Sequence, residues 1–570
     1  MIVNTSTPPF DLSSERLGPL PIVNHFVARL GLDEFLMKFV PSQERESDLP
    51  YAKALGVLLR SIIVEREPIY RQQETVETFA PRMFALKGEE VADLSDDRIG
   101  RALDRLFDAD RSALMTEVVV RAAKRFNLEF NRLHNDSTSI SLTGQYRQAK
   151  GRSLRGRKAP WITYGFNKEH RPDLKQLLLI LTMSADGAVP VQFRCGNGNT
   201  SDSSTHIETW QALCRIAGRP DFLYVADSKL CSLENMDYID GKKGRFVTVL
   251  PRSRGEDAQF RKWIQTNDPA WELVWNRPNP RRKYGPRDRW RVFRDPLPSR
   301  EAWPIIWVFS SLLRIRQDQT RREQLAAAKE ELEEIKKRLA SPKSRLRQAE
   351  QVEKLIRDTL KRFSVNRYLK VQKFTKEEHR FRQSRKGRPG PKMTYRRLTR
   401  QRWDITWETN EEALAYDRKS DGMYPLLTND RALTPAQALE AHKGQPALEK
   451  RFEQTKTVHE IAPVLLKNEG RIEALFFLYF LALLIQGLIE RELRQAMKRG
   501  KIKELCIYPE ERACQRPTTE QVLRLFSLVE RHNLLHNGRA VQFFEPKLTD
   551  LQREILDLLG VPASAYQTAT

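Results

Sequence analysis

The sequence predicts an α/β protein of several domains, with an all-α domain at its amino terminus and a helical tail at its carboxyl terminus. A chain of 570 residues exceeds one typical hydrophobic core, so two to four structural units are expected. Strand-like and helix-like segments alternate between Leu133 and Pro251, and such alternation is the order of an α/β fold. Apolar residues recur at helical spacing before and after this region.

Residues 1–126 are the predicted helical domain. From Glu15 to Phe126, the apolar residues follow helix spacing and are interrupted by proline and aspartate, as in LGPLPIVNHFVARLGLDEFLMKFV. Residues 127–255 are the first part of the α/β core. They contain the strand-like LHNDSTSISL, two strands around a turn at Asp186 and Gly187, a helix from about Ser203 to Ala217, the strand FLYVA, the helix SLENMDYIDGK and the strand RFVTVLP.

Residues 256–402 form a predicted, mostly helical insertion. A part rich in Trp and Arg precedes a charged helix with apolar residues at heptad-like spacing, and Ser341 and Pro342 are the expected N-cap and first-turn proline of a second helix. We interpret the two helices as a solvated amphipathic hairpin, with a dimerising coiled coil as the alternative.

Residues 403–498 are the second part of the core, and residues 499–570 are a mostly helical carboxyl-terminal region. The apolar block from Ala474 to Ile485 is too short to cross a bilayer, so it predicts a buried core helix.

The charge of the chain indicates a polyanionic partner. It has 98 Lys and Arg against 74 Asp and Glu, a formal net charge of +24, and nucleic acid is the leading candidate for such a protein. The five cysteines are scattered without a CxxC pair, which argues against a disulfide framework or a zinc knuckle and favours a reducing compartment. The amino terminus does not have the pattern of a signal peptide.

Two carboxylates stand out because they lie on predicted core strands. Asp136 is within a strand-like segment, where acids are unfavourable, and Asp227 ends the apolar strand FLYVA. Alone, Asp227 is better explained as a strand terminator. Together, two such acids at neighbouring strands provide the oxygen ligands that Mg²⁺ prefers. A third acid would complete a two-metal site; Glu449 in GQPALEKRFEQTK is the candidate, with Glu453 as its local competitor.

The order of these motifs resembles the DDE transposases of bacterial insertion sequences. The resemblance rests on LHNDSTSISL, RPDLKQLLLILTMSADGAVPVQFRCGNGNTSD, YVADSKLCSLEN and ALEKRFEQTKTVHEIAPVLLKNEGRIEALFFLYFLALLI. It is closest to the branch whose third acid lies in a Tyr-Arg-Glu-Lys signature, and it covers roughly residues 15–495. It implies an RNase H-like catalytic core, interrupted between the second and third acids.

The resemblance also implies roles for individual residues. Asp136, Asp227 and Glu449 become the catalytic, metal-binding triad for two Mg²⁺ ions, with Mn²⁺ as a substitute. Lys456 matches the signature lysine and is expected to contact transposon-end DNA. The signature tyrosine and arginine fall on His442 and Gln445, and Gln cannot supply the charged fork of Arg to a phosphate.

The loop GNGNTSD, Gly196 to Asp202, also recurs in the family. Its composition suggests a tight turn, and we favour that structural role over a place in the active site.

Two acid-free basic runs are candidate DNA contacts. Six Lys or Arg lie between Arg147 and Lys158, and ten lie between Arg380 and Arg402. Such runs neutralise phosphates, although a solvated basic loop has the same composition. The predicted DNA-binding residues in the second run are Arg382, Arg385, Lys386, Arg388, Lys392, Arg396 and Arg397.

The expected function is that of a transposase with endonuclease and strand-transfer activity. The helical amino-terminal domain would bind the terminal inverted repeats of the element, and the core would cleave its ends and join them to target DNA. The expected partners are double-stranded DNA and a second copy of the chain in the synaptic complex, and the expected location is the bacterial cytoplasm, at the nucleoid. Two alternatives remain: a catalytically inactive DNA-binding protein derived from a transposase, and an RNase H-like nuclease without strand transfer.

Overall fold

The structure is a computed structural model that describes residues 10–42, 49–168, 170–279, 285–458 and 466–567. It divides into two compact units. The first unit comprises the described residues up to Thr248, Thr428–Asp430 and the described residues from Glu440 onward. The second comprises Val249–Leu427 and Arg431–Leu439, without the undescribed residues 280–284. The whole is mixed α/β, as the sequence predicts.

The first unit begins with a strand and a series of helices. The predicted helices are present, but the prediction of an all-α domain over residues 1–126 is wrong, because Phe10–Arg16 is a strand that pairs with Glu530–His536. Serine and aspartate cap two of the helices: the Ser95 side chain accepts a hydrogen bond from the Arg98 N–H, and Asp110 accepts one from the Ala113 N–H. The elements are β1 (Phe10–Arg16), α1 (Leu20–Leu30), α2 (Leu32–Phe39), α3 (Tyr51–Val64), α4 (Gln72–Glu77), α5 (Asp96–Asp108) and α6 (Arg111–Phe126).

A sheet follows, in the chain order that the sequence predicts. The elements are β2 (Arg132–Leu142), β3 (Ser153–Leu154), β4 (Arg157–Lys158), β5 (Lys175–Ser184), β6 (Pro190–Gly196), α7 (His206–Ala217), β7 (Leu223–Val225), α8 (Leu233–Gly241) and β8 (Arg245–Val249). In space the strands run β6, β5, β2, β7, β8, while β3 and β4 pair as a separate short hairpin. The pairs β5–β6 and β2–β5 are antiparallel, and the pairs β2–β7 and β7–β8 are parallel. Strand β2 therefore lies at the centre, where the two kinds of pairing meet.

The second unit combines an antiparallel sheet with helices and a long strand pair. Its elements are α9 (Gly255–Trp263), β9 (Glu272–Arg277), β10 (Asp288–Arg294), β11 (Ile305–Ser310), α10 (Ser311–Ala340), α11 (Ala349–Arg362), β12 (Leu369–Gln383), β13 (Tyr395–Thr409), α12 (Glu411–Lys419) and β14 (Met423–Thr428). Strands β14, β11, β10 and β9 are neighbours in that order, all antiparallel. Strands β12 and β13 form a two-stranded ribbon of their own. The prediction of a mostly helical insertion is therefore wrong in this respect, since strands and helices both contribute.

The helical hairpin of the second unit packs onto the base of this ribbon. Leu332, Ile335 and Leu339 of α10 share one buried cluster with Ile356 of α11 and Ile405 of β13. The apolar seam of α10 is thus covered by its own chain, in agreement with the hairpin interpretation. The predicted start of the second helix is wrong: Ser341 is extended before Pro342 and ends α10, as a residue before proline tends to do.

The rest of the first unit comprises further helices and two strands. They are α14 (Gln445–Glu453), α15 (Glu469–Arg499), α16 (Thr519–Leu525), β15 (Glu530–His536), β16 (Arg539–Phe544) and α17 (Asp550–Leu559), with α13 (Pro435–His442) preceding them across the boundary between the units. Strand β15 pairs with β1 on one side and with β16 on the other. The predicted helical tail is therefore wrong between Glu530 and Phe544. The turn between β15 and β16 is Asn537-Gly538 with both φ values positive, and such a turn joins antiparallel strands tightly.

Helix α15 contains the apolar block and is longer than that block suggests. By length and composition alone it is the one described helix able to cross a membrane, but 89% of its most apolar window is buried inside the protein. It packs against α1, α3 and α5. Arg471 of α15 pairs with Asp104 at 2.6 Å, and Glu473 pairs with Arg111 at 2.9 Å. The burial agrees with the predicted core helix.

Candidate active site

Two of the predicted acids lie on adjacent parallel strands at the same level. In the pairing of β2 with β7, His134 lies opposite Val225. Asp136 is two residues beyond His134, and Asp227 is two residues beyond Val225. Because side chains two residues apart lie on the same face of a strand, this register brings both carboxylates to one place. The apolar strand β7 ends just before Asp227, so this acid extends past the paired part of the strand, where ligand sites of α/β sheets are found.

A third carboxylate, which we had not predicted to be in the site, joins these two. The Ser137 hydroxyl donates a hydrogen bond to Asp202 at 2.7 Å, and the negative charge of Asp202 acts on both Asp136 and Asp227. Asp202 is the last residue of the GNGNTSD loop. The loop does contain a turn, since the Thr200 N–H donates to the Asn197 carbonyl at 3.0 Å. The predicted turn is therefore present, and the loop also brings Asp202 to the two strand acids.

One cation bridges this acid cluster, which we define as Asp136, Asp202 and Asp227. The ammonium of Lys168 lies 3.7 Å from the Asp136 carboxylate and 3.8 Å from the Asp202 carboxylate. It also donates to the main-chain carbonyl of Ser137. The charge of Lys229 also acts on Asp227, so three acids face two lysines and one negative charge is left in excess in a partly buried place.

The pKa values of Asp136 and Asp227 are both raised, chiefly by burial. Burial raises the pKa of Asp136 to about 6, and the charges of Asp227 and Asp202 add to the rise, while Lys168 and the Ser137 N–H oppose it. Burial likewise raises the pKa of Asp227, against the N–H of Lys229, which donates to it at 2.9 Å. A nearby divalent cation would oppose these shifts, because it favours the charged forms of the carboxylates.

The third predicted ligand, Glu449, is exposed on α14. The first residue of that helix contacts β2, because the Gln445 amide donates to the Asn135 carbonyl at 3.0 Å. Glu449 follows one turn later. Within the described part of the chain, no group of three or more His, Cys, Asp or Glu could hold a metal ion as it stands. The structure thus brings Asp136 and Asp227 together with Asp202, and the contribution of Glu449 stays a prediction.

The two positions that depart from the family signature belong to a buried contact. Gln445 faces the ring of His134, with its side-chain oxygen 3.4 Å from Nδ1. Burial lowers the pKa of His134 and of His442 to about 4, so both rings are neutral at pH 7. A side chain at Gly444 would collide with the His134 ring, 2.4 Å from a Cβ there. These residues therefore set how closely α14 approaches β2.

Lys456 is the residue that matches the signature lysine. Lys456 lies in a π-helical turn, Gln454–Val458, and is half-buried. Its predicted contact with DNA stays a prediction. Glu453, the competitor of Glu449, is exposed at the end of α14.

The predicted DNA-binding residues of the second unit lie at the far end of the ribbon. Arg382 is on β12 and Arg396 and Arg397 are on β13, while Arg385, Lys386, Arg388 and Lys392 are in the segment that joins the strands. All seven are exposed. Because β12 and β13 are 15 residues long, the ribbon extends well past the helices that pack on its base.

The charge of the ribbon changes along its length. In the middle of the ribbon, acids balance the cations: Lys376 pairs with Asp404, and Glu378 contacts Arg402. At the far end Arg382 lies directly opposite Arg396. Like charges in that position destabilise a strand pair, and a polyanion between them removes the repulsion. A two-stranded ribbon also fits the major groove of DNA.

The first basic run has a different environment. Arg152 pairs with Glu469 at 2.7 Å and Arg155 pairs with Asp108 at 2.7 Å. Arg157 donates to the Asp108 carbonyl at 2.6 Å. Half of the six cations in this run therefore contact the protein itself, which weakens the case for this run as a DNA contact.

Comparison with known families gives one match. A family model described as "Domain of unknown function (DUF4277)" matches residues 12–120, and this domain family is found in transposases. No match was found among the curated proteins.

Proposed function

We propose that the protein is a DDE-type transposase that binds the terminal inverted repeats of an insertion sequence, cleaves DNA at the element ends and joins the 3′ ends to target DNA. The observation that carries the proposal is the register of β2 and β7, which sets Asp136 beside Asp227 and next to Asp202. The match of residues 12–120 to a domain family found in transposases also supports it.

The sheet supports the finer proposal of an RNase H-like core. Three antiparallel strands, β6, β5 and β2, are extended by β7 and β8 in parallel. That arrangement is the one expected of an RNase H-like sheet, with the first acid on its central strand. Strand β7 then ends at the second acid.

The cluster has the donor chemistry for Mg²⁺, which favours carboxylate oxygens together with water and phosphate oxygens. Asp136 and Asp227 would hold the ions, with Asp202 beside them and Glu449 as the proposed additional ligand. When bound, two Mg²⁺ ions would stabilise the attacking and leaving oxygens. Lys168 and Ser137 hold the carboxylates in position, and the basic ribbon binds the DNA backbone.

The proposed reaction has two transfers at phosphorus. In the first, the oxygen of water bonds to the phosphorus at the element end and the bond to the 3′ oxygen breaks, so that this oxygen leaves as a hydroxyl. In the second, the freed 3′ oxygen bonds to a phosphorus of the target, whose own 3′ oxygen leaves and takes up a proton. Two ends must be joined together, so we propose a homodimer as the synaptic form, at the nucleoid in the cytoplasm.

The test is cleavage of DNA that flanks the coding sequence, with purified protein and Mg²⁺. We expect new 3′ hydroxyl ends and joined products from the wild type and neither from Asp227→Ala, while the exposed control Asp237→Ala behaves as the wild type. Equal cleavage by wild type and Asp227→Ala would overturn the assignment. DNA binding without cleavage by the wild type would support the inactive DNA-binding alternative, and cleavage without joined products would support the nuclease alternative.

A further inference from the structure

A short segment beside the acid cluster carries three aromatic side chains that face solvent. In the sequence APWITYGFNK, Ala159 to Lys168, the exposed fractions are 38% for Trp161, 56% for Tyr164 and 90% for Phe166. Single exposed apolar residues are common on proteins. Here three exposed aromatic residues lie within six positions, in the segment whose Lys168 reaches the acid cluster. Such a concentration suggests a function for these side chains.

The backbone on the amino-terminal side of Phe166 is held in place. Thr163 and Gln176 exchange main-chain hydrogen bonds, and the Gln176 amide donates to the carbonyls of Phe166 and Gly198 at 3.3 and 2.8 Å. Gly165 lies so close to Gly198 that a Cβ at Gly165 would overlap the Gly198 carbonyl. The segment is therefore fixed against β5 and the GNGNTSD loop.

The backbone on the other side is held equally well. Asn167 is buried and donates to the Ser141 hydroxyl at 3.0 Å, and the Lys168 N–H donates to the Ser139 hydroxyl at 3.0 Å. Lys168 then reaches the acid cluster. Two residues span at most about 7 Å of chain, so the Cα atom of Phe166 lies within that distance of the Cα atom of Lys168.

Phe166 thus combines an exposed ring with a fixed backbone, two residues before the lysine whose ammonium reaches the acid cluster. A cation accompanies the neighbouring ring, since the Lys175 ammonium lies 5.9 Å from the centre of the Tyr164 ring. Aromatic rings beside cations are the arrangement that binds single-stranded nucleic acid, because the rings stack on bases and the cations neutralise phosphates.

We propose that Phe166, supported by Tyr164, is a stacking site for an unpaired base of the DNA strand that enters the acid cluster. The inference rests on the proposed function, since it assumes that DNA is the substrate. The inference adds Phe166 to the residues that contact the substrate. It also requires that the DNA expose at least one unpaired base near the point of cleavage.

The test uses the full-length protein and two DNA probes, which are a fully paired duplex and the same duplex with an unpaired fluorescent aminopurine at one end. Stacking on an aromatic ring quenches this base. We expect the wild type to quench it, and Phe166→Ala to lose the quenching and to bind the unpaired probe about 5- to 150-fold more weakly, the cost of one stacked base. Binding to the paired duplex should be unchanged.

Two further variants separate stacking from apolar contact. Phe166→Trp should retain the quenching, whereas Phe166→Leu, which is apolar without a π face, should lose it. Leu528→Ala, at a side chain that is 85% exposed, is the matched control and should behave as the wild type. Because Phe166 buries little surface, its variants should unfold at the temperature of the wild type.

The outcomes distinguish this inference from the proposed function. If the wild type binds both probes and Phe166→Ala is indistinguishable from it, or if Phe166→Leu retains the quenching, the stacking site is overturned alone. If the wild type binds neither probe, the proposed function is overturned together with it.

Discussion

The Ser137 hydroxyl donates a hydrogen bond to the Asp202 carboxylate at 2.7 Å. This bond ties the loop after β6 to the central strand at the residue next to Asp136. It makes Asp202 part of the acid cluster and limits how far the loop can move away from it.

Removal of the Asp136 charge should stabilise the protein at neutral pH in the absence of divalent ions. Burial raises the pKa of this acid to about 6, whereas the unfolded chain has a value near 4. Wild-type stability therefore falls as the pH rises through this window, because the folded state must give up a proton that it holds more tightly. One pKa unit corresponds to about 1.4 kcal/mol, so Asp136→Asn should raise the free energy of unfolding at pH 7 by about 1 to 3 kcal/mol.

Urea unfolding of both proteins across the window measures this effect. The difference between them should vanish below about pH 4, where Asp136 is protonated in both states. Asp237→Asn, on the exposed side of α8, is the matched control and should show no such trend. A gain in stability that is independent of pH would contradict the explanation.

Asp202 and Glu449 should differ in how their loss affects metal use. We expect Glu449→Gln to abolish cleavage and Glu453→Gln to leave it intact. Asp202→Asn should raise the Mg²⁺ concentration for half-maximal cleavage by about 10-fold, as expected for a residue that supports the metal ligands. A magnesium titration of all three variants gives the answer. Full activity of Glu449→Gln would transfer the role of third acid to another residue.

Lys168 should set the acidic limit of activity. Its charge lowers the pKa values of Asp136 and Asp227, so Lys168→Gln raises both values and keeps the acids protonated to a higher pH. The acidic limb of the cleavage profile should move up by about one pH unit. Lys168→Arg should restore the wild-type profile. An unchanged limb in Lys168→Gln would show that these two acids do not limit the reaction.

The far end of the ribbon should supply part of the salt dependence of DNA binding. If Arg382 and Arg396 each neutralise one phosphate, replacing both by Gln should reduce the slope of log affinity against log salt by about 1.8. Lys370→Gln is the control at the base of the same ribbon, where Lys370 lies opposite Glu408. The double variant should also unfold at a higher temperature, because the facing like charges are gone. A slope equal to that of the wild type would exclude these residues from the DNA contact.

The two strand acids are predictable from sequence because their signals are local. An acid within a strand and an acid directly after an apolar strand can both be seen in short windows, and the α/β order makes the strands neighbours. Asp202 is different. Its place depends on a hydrogen bond to Ser137 and on the path of a loop, neither of which has a periodic pattern. The sequence feature that points to Asp202 is the loop GNGNTSD, in which two closely spaced glycines precede this acid.

Strands β15 and β16 show a missed local signal. Asn537-Gly538 is the turn pair most typical of a tight hairpin, and the prediction of a mostly helical tail does not take it into account. The start of α11 was missed for another reason. Serine followed by proline suits both the beginning of one helix and the end of another, and the packing of the two helices decides between them.

The contacts of α15 have a consequence for the boundaries of the matched domain. Residues 12–120 include α1, α3 and α5, whose apolar faces are covered by a helix that begins more than three hundred residues later in the chain, at Glu469. A protein fragment limited to the matched segment would leave those faces in water and Asp104 without Arg471. The segment that sequence comparison recognises as one domain therefore shares its core with α15, and the faces of α1, α3 and α5 that contact this helix are covered only after Glu469–Arg499 has been synthesised.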